Sequence, residues 1–219
     1  MGMKVLNLYA GIGGNRKLWK NVDVTAVEYY QQIADIYKDF FPKDKVVVAD
    51  AHQYLLDHYK EFDFIWSSPP CPTHSQLGRL RALNEHNKAT GQYSPARYPD
   101  MKLYEEIILL KYYFKGKWCV ENVIAYYKPL IIPTTIQRHW FWSNFNITTK
   151  ILDADNIDKG KVREWEEKLG FDLSGYSGVN KRLVLRNCVR PELGLHILHC
   201  ASPTEVVLPK NFIKQESIF

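Results

Sequence analysis

Apolar residues are spaced along this chain in two alternating rhythms. Short runs rich in β-branched and aromatic residues, at Val5 to Leu8, Val22 to Val27, Val46 to Val48, Phe62 to Trp66 and Trp118 to Val120, have the length of buried strands. Between them, residues 29–41 (YYQQIADIYKDFF), 52–60 and Leu103 to Phe114 repeat apolar positions at helical spacing. The alternation predicts an α/β domain built on a mainly parallel sheet. The rhythm lapses twice. Residues 76–100 mix glycine, proline and charge without a period, which reads as a long active-site or substrate loop. Residues 153–182 are polar apart from a helical stretch at Lys161 to Leu169 and the turn SGYSG. With no internal repeat and no linker, the expectation is one domain over residues 1–219.

Ligands of an open parallel sheet bind beyond the carboxyl ends of its strands, so the residues after each run carry the functional reading. After the first run comes AGIGG, after the second Glu28, after the third Asp50, after the fourth SSPPC, and after the fifth Glu121 and Asn122. Gly11, Gly13 and Gly14, between a strand and an expected helix, either let a ligand approach the backbone or serve tight packing alone. G-x-G-G lacks the third glycine of the dinucleotide fingerprint, while Glu28 stands where an acid binds ribose hydroxyls. Asp50 could accept from an adenine amino group, or cap the helix that starts near His52.

Cys71 stands between Pro70 and Pro72, with Pro69 before them. Proline fixes φ, removes a backbone donor and biases its predecessor toward extended geometry, so the thiol rides on a stiff loop. It is there either as a small buried hydrophobe or as a reactive group held at a fixed angle. In WCVENV, strand alternation puts Cys119 and Glu121 on one face, with Val120 and Asn122 on the other. A carboxylate at the end of a buried strand needs a partner, such as Arg138, or a use.

Composition narrows the function classes. The chain has 219 residues, of which 46% are hydrophobic and 24% charged, enough to bury one sizeable core. A net charge of +5 permits nucleic-acid binding without requiring it, and basic residues gather at Arg79, Arg81, Lys88 and Arg97. Four cysteines without C-x-x-C spacing argue against a zinc site or a disulfide framework and fit a reducing compartment. No apolar run approaches the roughly 20 residues of a membrane helix, and the first residues carry no signal-peptide pattern. The expectation is a soluble intracellular protein with no membrane or metal partner.

The order NLYAGIGG, VEYY, VVVADA, SSPPC, VENV, IQRHWFW and RNCVRP closely resembles the DNA cytosine-C5 methyltransferases, over residues 4–145 and 181–200. The resemblance implies a single-domain class I methyltransferase (Rossmann-like) fold with helices on both faces of the sheet. It implies S-adenosylmethionine as cofactor, S-adenosylhomocysteine as product, and DNA, duplex or single-stranded, with the target cytosine flipped out. Cys71 would add to C6 of the base, Glu121 would act as the acid at N3, and Arg138 would be a second contact. The cofactor residues implied are Tyr9, Ala10, Gly11, Gly13, Gly14, Glu28, Tyr29, Asp50, Ala51, Pro69, Asn187 and Val189. A cytoplasmic, nucleoid-associated enzyme of prokaryotic or phage origin, of the restriction-modification kind, fits these features.

Three departures stand out. The family pattern Q-x-R-x-R is here Gln137-Arg138-His139-Trp140-Phe141. Arg186 replaces the glycine of a Gly-Asn-x-Val segment, and residues 146–182 form a reduced insert where the family carries a target-recognition domain. Two other functions are open on sequence. One is methyl transfer to an exocyclic amine (N4 of cytosine or N6 of adenine), whose S-P-P-aromatic motif differs from this chain at Cys71. The other is a degenerate protein that binds cofactor or nucleic acid without turnover.

Overall fold

The computed structural model describes residues 2–76, 78–80, 98–148 and 161–202. One seven-stranded sheet runs in the order β3-β2-β1-β4-β5-β7-β6. Its parallel strands are β1 (Met3–Leu8), β2 (Val22–Glu28), β3 (Lys45–Val48), β4 (Phe64–Ser67) and β5 (Lys117–Val123). The antiparallel pair β6 (Thr134–Ile136) and β7 (His139–Ser143) completes it beside β5. The parallel order, reversed at β1 and closed by an antiparallel β7, is the class I methyltransferase arrangement.

Apolar residues on alternate strand positions give the sheet two buried faces. Leu6, Leu8, Val27, Ile65 and Val120 pack against helix α2 (Ala51–His58) through Leu55, and against α3 (Lys102–Tyr113) through Leu103, Ile107 and Leu110. The opposite face presents Val5, Val24, Phe64, Trp66 and Phe141. Helix α1 (Gln31–Phe40) covers part of that face, with Tyr37 against Ala26. Two short helices follow the described gap, α4 (Val162–Leu169) and α5 (Lys181–Arg186), and then α6 (Pro191–Ala201) lays Leu193, Ile197 and Leu198 on the rest of the face.

The helix expected after the glycine turn does not form. Residues 11–18 are a run of turns, closed by Trp19 N–H donating to the Arg16 carbonyl at 3.0 Å. Side chains hold this path against a helix. Asn15 donates to Asn7 Oδ1 inside the sheet face at 2.8 Å, and the Arg16 guanidinium is taken by Asp44 at 2.8 Å and by the Trp19 carbonyl at 2.7 Å. Helix α6 occupies the vacated side, and it comes so close that a Cβ on Gly194 would lie 2.2 Å from the Asn15 carbonyl oxygen.

Candidate active site

Neighbouring strands β4 and β5 deliver the thiol and the acid to one edge. The buried Asn122 side chain donates to the Pro69 carbonyl at 2.9 Å, so β5, through its next-to-last residue, holds the proline loop directly. After the thiol the chain turns back: the Cys71 carbonyl accepts from His74 N–H at 3.0 Å and from Ser75 N–H at 2.9 Å. A 2.6 Å bond between His74 Nδ1 and the Tyr127 hydroxyl, with a bridge from Ser75 to Ala125, ties the far side of the loop to the segment after β5. Burial, and then the charge of Glu121, push the Cys71 thiol above its ordinary range, while Arg186 pulls the other way.

Glu121 is 6% exposed, and its Oε1 lies 2.6 Å from His139 Nδ1. The contact follows from the register. Glu121 stands opposite Phe141 and Val123 opposite His139, so His139 is the diagonal neighbour of Glu121 on the same face. A two-residue turn, Gln137-Arg138, joins the paired residues Ile136 and His139 and fixes that register; Gln137 adopts φ 54, a left-handed conformation in which glycine is cheaper. Arg138 occupies the exposed second corner of this turn, its carbonyl accepting from Ile124 N–H at 3.4 Å. His139, next to the arginine considered from sequence, is thus a partner of Glu121.

A second cluster lies beside the first. Tyr9, Tyr29, Tyr30, Asp50, Ala51 and Pro69 line a cleft of about 200 Å³, joined by Asp100, Lys102 and Leu103 at the start of α3. Five of these, Tyr9, Tyr29, Asp50, Ala51 and Pro69, are among the cofactor residues implied by the sequence. Asp50 caps α2, accepting from Gln53 N–H at 3.0 Å, and this bond, aided by Lys102, holds its carboxyl below the usual range. Glu28 spends its carboxylate on backbone: Oε2 accepts from Gly11 N–H at 3.0 Å, and Oε1 from Tyr29 and Tyr30 N–H at 2.9 and 3.1 Å.

Beneath the cleft lies Glu106, 0% exposed. It accepts the Tyr9 hydroxyl at 2.6 Å and the Ser67 hydroxyl at 2.5 Å, and His52 Nδ1 approaches at 3.0 Å. Four elements are tied at one carboxylate. Glu106 is legible in hindsight, because Leu103, Glu106, Ile107 and Leu110 form one helical stripe, and an acid on an apolar stripe must be paired. His139 carried a signal as well, standing two residues after Gln137, where the family pattern has its first arginine.

The glycines divide by role. A Cβ on Gly13 would strike the Phe41 ring at 2.3 Å, and one on Gly14 would meet Cys188 Cβ at 2.6 Å, so both positions are filled by packing. Gly11, at φ +55, has nothing within 4 Å of its Cβ position and is the open one. Ala10 is buried and continues the β1–β2 pairing through its N–H to the Val27 carbonyl at 3.0 Å. Asn187 caps the end of α5, and Val189 is buried with Val5 and Trp19. These two lie behind the glycine turn rather than among the cleft-lining residues. Of the four basic residues noted from sequence, Arg79 rests 5.0 Å from the Tyr126 ring, while Arg81, Lys88 and Arg97 lie outside the described residues. Most of the 76–100 loop and part of the 146–182 insert also fall outside them.

Residues 3–92 match the family model of the C-5 cytosine-specific DNA methylases. The chain is 26% identical over 175 residues to the Type II methyltransferase M.FnuDI of Fusobacterium nucleatum, an alignment covering 77% of this chain and 47% of that protein. It therefore spans about half the length of the curated relative it matches. Among solved structures, DNMT2 of Spodoptera frugiperda is 23% identical with a TM-score of 0.36, over 56% of this chain and 36% of that one. The putative methyltransferase yhhF of Escherichia coli is 13% identical with a TM-score of 0.41, over 64% and 74%.

Proposed function

We propose that this chain is a DNA cytosine-5 methyltransferase, a reading supported by the domain match over residues 3–92, and that it transfers a methyl group from S-adenosylmethionine to C5 of cytosine in DNA. The observation that carries the reading is the convergence of Cys71, on a loop held by Asn122, with the buried Glu121 on the adjacent strand.

The second cluster fits the cofactor. Tyr29 and Tyr30, 64% and 67% exposed, offer rings for an adenine; Asp50 offers an acceptor for its amino group; Glu28, with three of its roughly four acceptor positions taken by backbone, would keep one for a ribose hydroxyl; and Gly11 leaves open space beside Glu28. Asn187 and Val189, packed behind the turn, would support it from below. When bound, S-adenosylmethionine supplies the electrophilic methyl group.

The work of the chain itself is activation of the base. C5 of cytosine is a weak nucleophile until a thiolate adds at C6. As the Cys71 Sγ–C6 bond forms, the C5–C6 π pair shifts to C4–C5, and the C4–N3 π pair moves onto N3. Glu121 gives N3 a proton and so neutralises the developing charge. After C5 has gained its methyl group, water takes the C5 proton, the Sγ–C6 bond breaks, and N3 returns its proton to Glu121. The proline loop sets the angle at which sulfur meets the ring, and the target base must leave the stack to reach it. Arg138, at the hairpin corner next to His139, would be the second contact to the base or to Cys71.

A Type II methyltransferase relative fits a restriction-modification role. Among the described residues no helix is long and apolar enough to cross a membrane. The test is an oligonucleotide carrying 5-fluorocytosine, incubated with S-adenosylmethionine. Its C5 fluorine cannot leave as a proton, so the C5 mechanism stops at a covalent adduct on Cys71. An amine methyltransferase leaves no adduct, and Cys71→Ser should leave none while retaining cofactor binding.

A further inference from the structure

We propose that Glu106 is a positioning residue shared by the two halves of the reaction, setting the cofactor cleft through Tyr9 and His52 and the nucleophile loop through Ser67. The inference rests on the function proposed above. Each partner of the buried carboxylate stands at the root of a different part of the site. Tyr9 itself lines the cleft, His52 directly follows the cleft residues Asp50 and Ala51, and Ser67 stands two residues before the lining Pro69 and four before Cys71. Leu103, which lines the cleft from α3, is one helical turn from Glu106 and belongs to the same buried stripe. The wall of Tyr29 and Tyr30 is held separately, by Glu28.

The two oxygens of Glu106 serve different parts. Oε2 takes the Ser67 hydroxyl at 2.5 Å, whereas Oε1 takes the Tyr9 hydroxyl at 2.6 Å and faces His52 Nδ1 at 3.0 Å. Burial and the charge of Glu106 hold the Tyr9 hydroxyl protonated, far above its ordinary ionisation, so it serves as a donor. His52 is fixed at both ring nitrogens, because Glu105 Oε2 lies 3.4 Å from its Nε2. Ser67, fully buried, is the last residue of β4, and from it the chain leaves the sheet through Ser68 into three prolines that have no N–H with which to hold on. A shift at Ser67 is therefore carried along a stiff segment to Cys71. Because both oxygens belong to one planar group, Glu106 cannot turn toward one partner without turning away from another. The cleft and the loop then keep one relative placement, as transfer between two bound partners requires.

The experiment reads the two arms separately. Calorimetry with S-adenosylhomocysteine reports on the cleft, and single-turnover adduct formation on the 5-fluorocytosine oligonucleotide, at saturating S-adenosylmethionine, reports on the loop. All proteins are compared well below their thermal midpoints, so that lost stability is not counted as lost function. Tyr9→Phe keeps the ring and removes the hydroxyl, and should weaken S-adenosylhomocysteine binding by about tenfold, the scale of one hydrogen bond to a charged group. Ser67→Ala should slow adduct formation by about tenfold and leave S-adenosylhomocysteine affinity within about twofold of the wild type. Glu106→Gln, of the same size, should lose in both readouts; if it does not fold, the two single-arm variants carry the test. A residue that served the fold alone would lower the midpoint in every variant without dividing the losses in this way. With a wild-type adduct in hand, a Tyr9→Phe affinity or a Ser67→Ala rate within about twofold of the wild type, or equal losses in both readouts for both variants, overturns this inference and leaves the proposed function standing. Absence of any wild-type adduct overturns both.

Discussion

Glu106 on α3 accepts the hydroxyl of Tyr9, 97 residues earlier in the chain, at 2.6 Å. Tyr9 is held at φ 55 at the end of β1 and lines the cleft, so a fully buried carboxylate fixes the start of the glycine turn from below. Removing this bond with Tyr9→Phe should cost about 1–3 kcal/mol of stability, the range for a hydrogen bond to a charged group. Urea unfolding measures it. A loss below a few tenths would show that packing alone holds the turn.

The same carboxylate makes stability depend on pH. Its hydrogen bond raises the ionisation of His52 above the ordinary imidazole value. A base raised on folding contributes fully below its unfolded value, about 6.5, and that contribution disappears as pH rises through the folded value. The wild type should therefore lose stability between about pH 6.5 and the raised folded-state ionisation. His52→Gln should flatten the dependence, and urea midpoints collected from pH 5.5 to 9 decide it.

Cys71 should be a slow thiol in the free protein. Burial and Glu121 both raise it, so at pH 8 little of it is thiolate. Iodoacetamide labelling, with the site read by mass spectrometry, should accelerate in Glu121→Gln and slow in Arg186→Ala. Rates unmoved by both changes would mean that exposure, and not charge, governs the thiol.

For Glu28 the expectation is a double loss. Its carboxylate accepts three backbone N–H groups, two of them from the cleft-lining Tyr29 and Tyr30, so Glu28→Ala should weaken S-adenosylmethionine binding by about 1–3 kcal/mol and also loosen the turns that follow β1 and β2. Calorimetry tests the first effect and hydrogen exchange at Gly11, Tyr29 and Tyr30 the second. Glu28→Gln, which still accepts hydrogen bonds, should fall between. Protection at those three amides that survives Glu28→Ala would refute the structural half.

Gly194 should tolerate nothing larger. A Cβ there would lie 2.2 Å from the Asn15 carbonyl oxygen and 2.6 Å from its Cα, and backbone cannot swing aside as a side-chain tip can. Gly194→Ala should destabilise by about 1–3 kcal/mol despite the better helix propensity of alanine. An increase in the thermal midpoint would show that α6 shifts freely on the sheet.

The five parallel strands were legible because each is a short apolar run ended by turn residues or a lone acid. The strand pair β6 and β7 was not. In HWFWS the three central residues are all buried, so the alternation that marks a half-exposed strand is absent. The expected helix after the glycines failed for a different reason: local glycine and polar spacing cannot disclose that Asn7, Asp44 and Gly194 will compete for that segment. Strand-end reasoning singled out Asp50 and Pro69, and the family resemblance Tyr9; all three line one cleft. It missed Glu106 and His139, whose surroundings are made by pairings distant in sequence.

The close seating of α6 on the turn at Asn15 has a consequence for synthesis. Residues of the sheet face such as Val5, Val24, Phe64 and Trp66 emerge from the ribosome long before the helix that covers them, Pro191–Ala201. Until then the nascent chain presents an apolar wall of the kind that holdase chaperones bind and that self-associates when crowded. A break in the chain between the two, by proteolysis or by division of the coding sequence, would yield a long piece with a bare sheet face and a short piece with the helix that fits it. The contact of α6 with the sheet face, the last to form, would then be the seam between the two pieces.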